Sequence, residues 1–131
     1  MNVKSVTPLF QCYDMRRSVA FYCDKLGFEV LHKHDPDGHL YWVMLKLGGA
    51  VVMLNSEFED EQRPTGPAHG KPRKHLASLY FGCDDVDAAY AELKSKGVDL
   101  KPPADTYYGM RQLLIIDPDG YELVFQHPVR K

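Results

Sequence analysis

The order of apolar and polar positions along the chain changes period several times, and each change marks an element. Val3 to Tyr13 reads as a strand and ends at Asp14, a good helix N-cap. From there Met15, Val19, Tyr22 and Leu26 fall on one helical stripe, and Gly27 is placed to close the helix in a left-handed conformation. Phe28 to His34 and Leu40 to Leu47 read as strands around the turn Asp35-Pro36-Asp37-Gly38. Gly48-Gly49 then turns the chain into Ala50 to Asn55. Period is lost from Ser56 to Lys74, a charged stretch rich in Pro and Gly and longer than most loops of a compact domain. Leu76 to Cys83 is again a strand, and Asp85 to Lys96 again a capped helix ending at Gly97. A short strand is expected at Val98 to Leu100. The chain closes with a hairpin, LLIIDPDGYELVFQ, in which Leu123 and Phe125 alternate with Glu122, Val124 and Gln126.

The two halves share one order: strand, helix, three strands. The helix caps Asp14 and Asp85 differ by 71 (85 − 14), and the hairpin glycines Gly49 and Gly120 differ by the same number (120 − 49). At that offset VVMLN lies on ELVFQ, and Thr7 lies on Ser78. The helix-ending glycines differ by 70 (97 − 27), a one-residue deletion. The pattern predicts an α+β fold of two βαβββ modules. These are module one at 3–56 and module two at 75–127, joined by a flap at 57–74 within a single domain at 1–131.

Composition narrows the function classes. A chain of 131 residues suffices for one domain with a real core. Its formal charge of −2 gives no electrostatic reason to expect nucleic acid or an anionic membrane as partner. No apolar run has transmembrane length, and MNVKSVTPLF lacks a signal-peptide core. Cys12, Cys23 and Cys83 are odd in number and lack CxxC spacing, which argues against a disulfide framework or zinc knuckle. A soluble cytoplasmic protein is the expectation.

DMRRSVAFYCDKLGFEV, CDDVDAAYAELKSKGVDL and YGMRQLLIIDPDGYELVFQ resemble the vicinal oxygen chelate superfamily, which contains glyoxalase I, extradiol dioxygenases and the fosfomycin- and bleomycin-resistance proteins. The resemblance covers nearly the whole chain outside the flap. It implies two curved mixed sheets, each backed by a helix, with a ligand cleft in the concavity, and it implies a homodimer. In metal-using members of the family the ligands come from the first and last strands of the modules. Here those positions fall on Thr7, Met53, Ser78 and Val124. None is a usual ligand for a hard divalent ion. The expectation is no metal and no other cofactor. His75 lies three residues from Ser78, on the opposite side of a regular strand. His32, His34 and His39 flank one turn, and His69 lies in the flap. The DPDG turns lack the further acids of a calcium loop.

Strand parity then selects the inward side chains. These are Thr7, Leu9, Gln11, Ser78 and Tyr80 on the first strands, and Val51, Met53, Asn55, Glu122, Val124 and Gln126 on the last. With the face of the third strands set by the resemblance, Trp42, Met44, Tyr108, Met110, Gln112 and Leu114 join them. Val6, Pro8, Phe10, Ala77, Leu79, Phe81, Leu123 and Phe125 have the opposite parity and are expected to pack on the helices. The inward set is apolar and aromatic with a few amides and one acid, which suits an apolar or aromatic small organic molecule. The site residues so predicted are Leu9, Trp42, Met44, Met53, Asn55, Tyr80, Tyr108, Met110, Gln112, Glu122 and Gln126. Tyr107 and Tyr108 are placed to gate a pocket mouth, although two half-exposed aromatics would look the same. Arg111 and Lys46 are cations suited to an acidic substrate, but alternation puts Arg111 off the inward face.

Two functions follow from this set. One is a metal-free binding protein resembling the bleomycin-resistance branch. The other is a glyoxalase-type lyase, isomerase or dioxygenase with an atypical divalent-metal shell, for which Glu122 is the best candidate base or ligand. Metal-free acid–base catalysis by Glu122 with Tyr80 or Tyr108 is a weaker third.

Overall fold

The same topology is built twice. The computed structural model describes residues 1–56 and 77–130, so the predicted flap, His69 and His75 lie outside the described residues. The chain divides into two compact units, residues 1–68 and 69–131. The first holds β1 (Leu9–Cys12), α1 (Met15–Ala20), β2 (Glu29–His34), β3 (Trp42–Leu47) and β4 (Ala50–Ser56). The second holds β5 (Ser78–Gly82), α2 (Val86–Ser95), β6 (Ala104–Asp105), β7 (Met110–Ile116) and β8 (Glu122–Pro128). Each forms a four-stranded mixed sheet, in the orders β1-β4-β3-β2 and β5-β8-β7-β6.

Register confirms the internal repeat. Leu9 pairs in parallel with Met53 and Tyr80 with Val124, both at the offset of 71 (80 − 9 and 124 − 53). On the third strands Met44 faces Met53 and Leu114 faces Val124, an offset of 70 (114 − 44). One extra residue in the Asp117–Tyr121 loop restores 71 on the last strand.

The lost residue has a visible origin. Asp14 accepts from the backbone N–H groups of Arg16 and Arg17 at 3.1 and 3.3 Å, and Asp85 accepts from that of Ala88 at 3.0 Å. From cap to terminal glycine the first helix has one residue more than the second. The surplus is taken up as a π-helical turn at Phe21–Lys25, where the N–H of Leu26 bonds the carbonyl of Phe21 at 3.1 Å. The second helix ends in a Schellman motif: Gly97, at a φ of 80°, bonds Lys94, and Val98 bonds Leu93 at 3.0 Å.

That motif explains one failed expectation. Val98 to Leu100 form no strand, because the Val98 N–H already serves the helix end; the edge strand is β6, further on. Other boundaries move as well, two of them with consequences for predicted residues. The first strand begins only at Leu9, so Val6, expected to pack on a helix, is exposed. Tyr108, placed by the sequence on a third strand, lies in the turn before β7.

The helix-facing sides of the sheets form the cores. Phe10, Cys12, Val43, Leu45, Val52 and Leu54 are buried in the first unit, where α1 packs on β4 and contributes Met15 and Ser18. Leu113, Ile115, Leu123 and Phe125 are buried in the second beneath α2, with Phe81 and Phe125 stacked at 4.7 Å. Each such side chain contributes roughly 1.5–3 kcal/mol on burial, against about 1 kcal/mol for a helix cap. Alternation therefore fixes the registers, since a one-residue slip would turn all of these residues to the other face.

Candidate functional site

The sheet faces away from the helices carry the predicted site residues. In the first unit two cross-strand rows can be read from the register. Gln11, Asn55, Trp42 and His34 form one; Leu9, Met53, Met44 and His32 form the next. Leu9 is 45% exposed, while Trp42, Met44, Met53 and Asn55 are half-buried. Leu9, Trp42, Met44, Met53 and Asn55 are thus brought onto one face as expected. The two histidines were missed as members of it. Their i, i+2 spacing on a strand was the available signal, obscured by the register shift between Val30 and His32.

The second face has three rows. Gly82, Gln126 and Gln112 form the first, Tyr80, Val124 and Leu114 the second, and Ser78, Glu122 and Ile116 the third. Val124 is buried, whereas Tyr80, Leu114 and Ile116 are about half exposed. Gln112 ties the polar end together. Its Nε2 donates to the Tyr108 hydroxyl and to Gln126 Oε1, both at 2.9 Å. At the other end the Ser78 hydroxyl donates to Glu122 Oε1 at 3.0 Å. Tyr80, Gln112, Glu122 and Gln126 therefore share this face. Tyr108 joins it through its hydrogen bond.

Tyr107 stands at the tip of the same turn, fully exposed and edge-on to Tyr108 at 5.1 Å. The turn itself is laced: Thr106 Oγ1 and the backbone N–H of Met110 meet at 3.0 Å, and the Thr106 N–H bonds the Met110 carbonyl at 2.7 Å. Met110 and Gln126 also line a recess of about 570 Å³ at this end of the sheet, with Gly82, Cys83, Asp84, His127, Pro128, Val129 and Arg130. Gly82 was not anticipated; it stands at the offset of 71 from Gln11 (82 − 11), so the place of a side chain in module one is left open in module two.

Arg111 faces the helix side, as alternation requires. It holds Asp87 of α2 in a bidentate pair at 2.8 Å and Asp105 of β6 at 2.9 Å. The Arg111 hydrogen bond holds the Asp87 carboxyl below its ordinary range, and the two carboxylates, Asp87 first, keep the guanidinium more firmly protonated. Arg111 is a brace between elements, not a substrate cation. Burial pushes the Cys83 thiol up, and burial with the nearby Asp24 does the same for Cys23, so neither is tuned as a thiolate nucleophile.

The divalent metal implied by the resemblance was tested against the donors present. Val124 is a buried hydrocarbon, Met53 offers a soft thioether, and Ser78 offers one neutral hydroxyl, whose hydrogen is given to Glu122. Thr7 adds one neutral hydroxyl. These residues do not fit a hard cation. Among the described residues no three His, Cys, Asp or Glu side chains are grouped to hold a metal. Also among them, no helix is long and apolar enough to cross a membrane.

Comparison with known proteins bears on the fold and the family. "Uncharacterized protein YwkD" of Bacillus subtilis (strain 168) is 35% identical over 86% of this chain and 87% of its own. "Probable lactoylglutathione lyase" of Synechocystis sp. is 27% identical over 84% of each chain. A bleomycin resistance protein of Geobacillus stearothermophilus is 27% identical over 94% of this chain and 96% of its own. Among solved structures, TnmS3, an antibiotic binding protein from Streptomyces sp. CB03234, superposes with a TM-score of 0.69 at 26% identity, covering 98% of this chain and 99% of that one. Residues 6–125 match the family model of these proteins, and the chain belongs to the Glyoxalase/Bleomycin resistance protein/Dioxygenase superfamily, the vicinal oxygen chelate group.

Proposed function

We propose that this chain is a metal-free small-molecule-binding protein that acts as a homodimer and holds an apolar or aromatic organic ligand against its open sheet faces. The observation that carries the reading is the second face. Tyr80 at 57%, Leu114 at 47% and Ile116 at 48% exposure leave a strip of hydrocarbon and aromatic surface uncovered between a fixed amide network and a carboxylate. Apolar surface flanked by a few oriented polar groups is what an organic ligand requires. On the first face Met44 and Met53 adjoin across the strands and can repack around ligands of different shape. The similarity to a bleomycin resistance protein and to an antibiotic binding protein supports the same class of partner.

A melting screen tests it. Flat aromatic and amphipathic compounds at concentrations far above their dissociation constants are expected to raise the midpoint by several degrees, with and without chelator. A library that shifts nothing removes the reading.

The second reading, a glyoxalase-type enzyme, is favoured by the similarity to the Synechocystis protein. It requires a metal held by donors other than Thr7, Met53, Ser78 and Val124. Stoichiometric Ni, Zn, Mn or Fe(II) that raises the midpoint after repletion would move the assignment to it.

A further inference from the structure

The recess beside Gln126 differs in chemistry from the rest of the second face. It lies at the end of the sheet where β5 leaves for α2 and the chain runs out through Pro128, Val129 and Arg130. Its volume of about 570 Å³ is ample for one or two fused rings. Its floor is open because Gly82 has no side chain; a Cβ built there meets nothing within 4 Å. Met110, Pro128 and Val129 make apolar walls. Its rim carries one acid, Asp84, and one base, Arg130, whose Nη2 donates to the Asp84 backbone carbonyl, and their formal charges sum to zero. Neither sign of charge dominates, so the recess favours a neutral ligand.

Gln126 supplies the direction. A glutamine amide can both give and receive hydrogen bonds. Here its oxygen accepts from Gln112, whose own amide is fixed by giving its other hydrogen to Tyr108. The N–H groups of Gln126 Nε2 have no partner among the described residues. This network turns the Gln126 oxygen toward Gln112 and leaves its N–H groups available, so Gln126 can donate toward the recess that it lines. The equivalent row of module one lacks this arrangement, since Gln11 occupies the place of Gly82 and Trp42 that of Gln112.

We propose that this recess is a carbonyl-reading subsite, in which Gln126, oriented by Gln112 and Tyr108, donates to a carbonyl oxygen of a neutral flat ligand whose apolar body lies against Met110, Pro128 and Val129. The proposal rests on the binding reading above and names the ligand class for the second face.

Three bicyclic probes of nearly equal size separate the possibilities: coumarin carries a carbonyl, chroman lacks it, and 1,2,3,4-tetrahydroquinoline offers an N–H donor. Binding is followed by ¹H–¹⁵N correlation spectra with side-chain amide assignments. Coumarin is expected to bind about tenfold more tightly than chroman, the value of one satisfied hydrogen bond, and to shift the Gln126 amide signals. Gln126→Leu is expected to abolish that preference, bringing the ratio of coumarin to chroman affinity to about one. Gln126→Glu, which turns the donor into an acceptor, is expected to favour tetrahydroquinoline. Equal affinities for coumarin and chroman, a wild-type preference for tetrahydroquinoline, or a preference that survives Gln126→Leu would each overturn the proposal. If no probe binds while the melting screen yields ligands, the subsite fails and the binding reading stands; a silent melting screen removes both.

Discussion

Glu122 lies at the opposite end of the second face from Gln126, four residues away on β8, or about 13 Å at strand rise. Its half-buried carboxylate is bound by Ser78 through one oxygen, leaving charge at the edge of an apolar strip. In a binding protein that carboxylate attracts cationic groups; in an enzyme it would be the base. Glu122→Gln preserves an oxygen for Ser78 and removes only the charge, so it separates the two. The expectation is several-fold weaker binding of N-methylquinolinium with coumarin binding unchanged, measured by calorimetry. A hemithioacetal or catechol turnover in the wild type that falls a hundredfold or more in Glu122→Gln would assign it the base instead. Most of this face was legible in the sequence because parity needs only a strand and one buried neighbour, as with Leu123 and Phe125. What parity cannot show is a missing side chain with a consequence, such as Gly82, or which donor of Gln112 meets which acceptor. Those depend on the side-chain network.

At the scale of elements, one residue of β7 ties α2 and the two-residue strand β6 to each other, in addition to the packing of α2 on the sheet. Arg111 bridges Asp87 and Asp105, and β6 contributes only the pairs Ala104–Gln112 and Asp105–Arg111 to the ladder. Asp87 titrates below its ordinary value in the folded protein because Arg111 hydrogen-bonds its charged form. The pair's contribution is therefore complete above the unfolded value near pH 4 and is lost as pH falls through the lower folded value. The midpoint difference between wild type and Asp87→Asn should be largest at neutral pH and should shrink progressively below about pH 4. It should be small throughout and shrink in high salt, since the carboxylate is half-exposed and screened. A difference that is flat with pH would deny the pair this role. Elements carrying their own stop signals were legible: Asp14 and Asp85 cap, Gly27 and Gly97 terminate. β6 was not, since a two-residue edge strand has no period and is chosen by its partner, and Val98 looked like a strand until the Schellman motif claimed its N–H. The π-helical turn was visible only as a broken offset between the repeats, with no residue type announcing it.

At the scale of the whole molecule, the duplication leaves surfaces that a single chain does not fill within either unit. β2 is an edge strand with all six residues exposed, including Val30 and Leu31. It is blunted by the irregularity beside Leu31 and by Glu29 and Lys33, devices that oppose open-ended strand addition. Leu9, Tyr80, Leu114 and Ile116 add exposed apolar area on the two faces. Apolar area of this kind costs less when shared, and closed two-fold pairing is the commonest way that proteins share it. The homodimer proposed above would bury such area in a second copy of the chain, and this is the prediction to test. Light scattering should give twice the chain mass of 14.9 kDa at micromolar concentration. Dilution should lower the thermal midpoint, because an associating protein is stabilised by mass action. A constant midpoint together with monomer mass at every concentration would show that the faces are satisfied without a second chain. The ligand would then be the group that covers them, and saturating a monomer with ligand should recover the stability that dimerisation was expected to provide. The two contributions are separable because only dimerisation depends on protein concentration when ligand is absent.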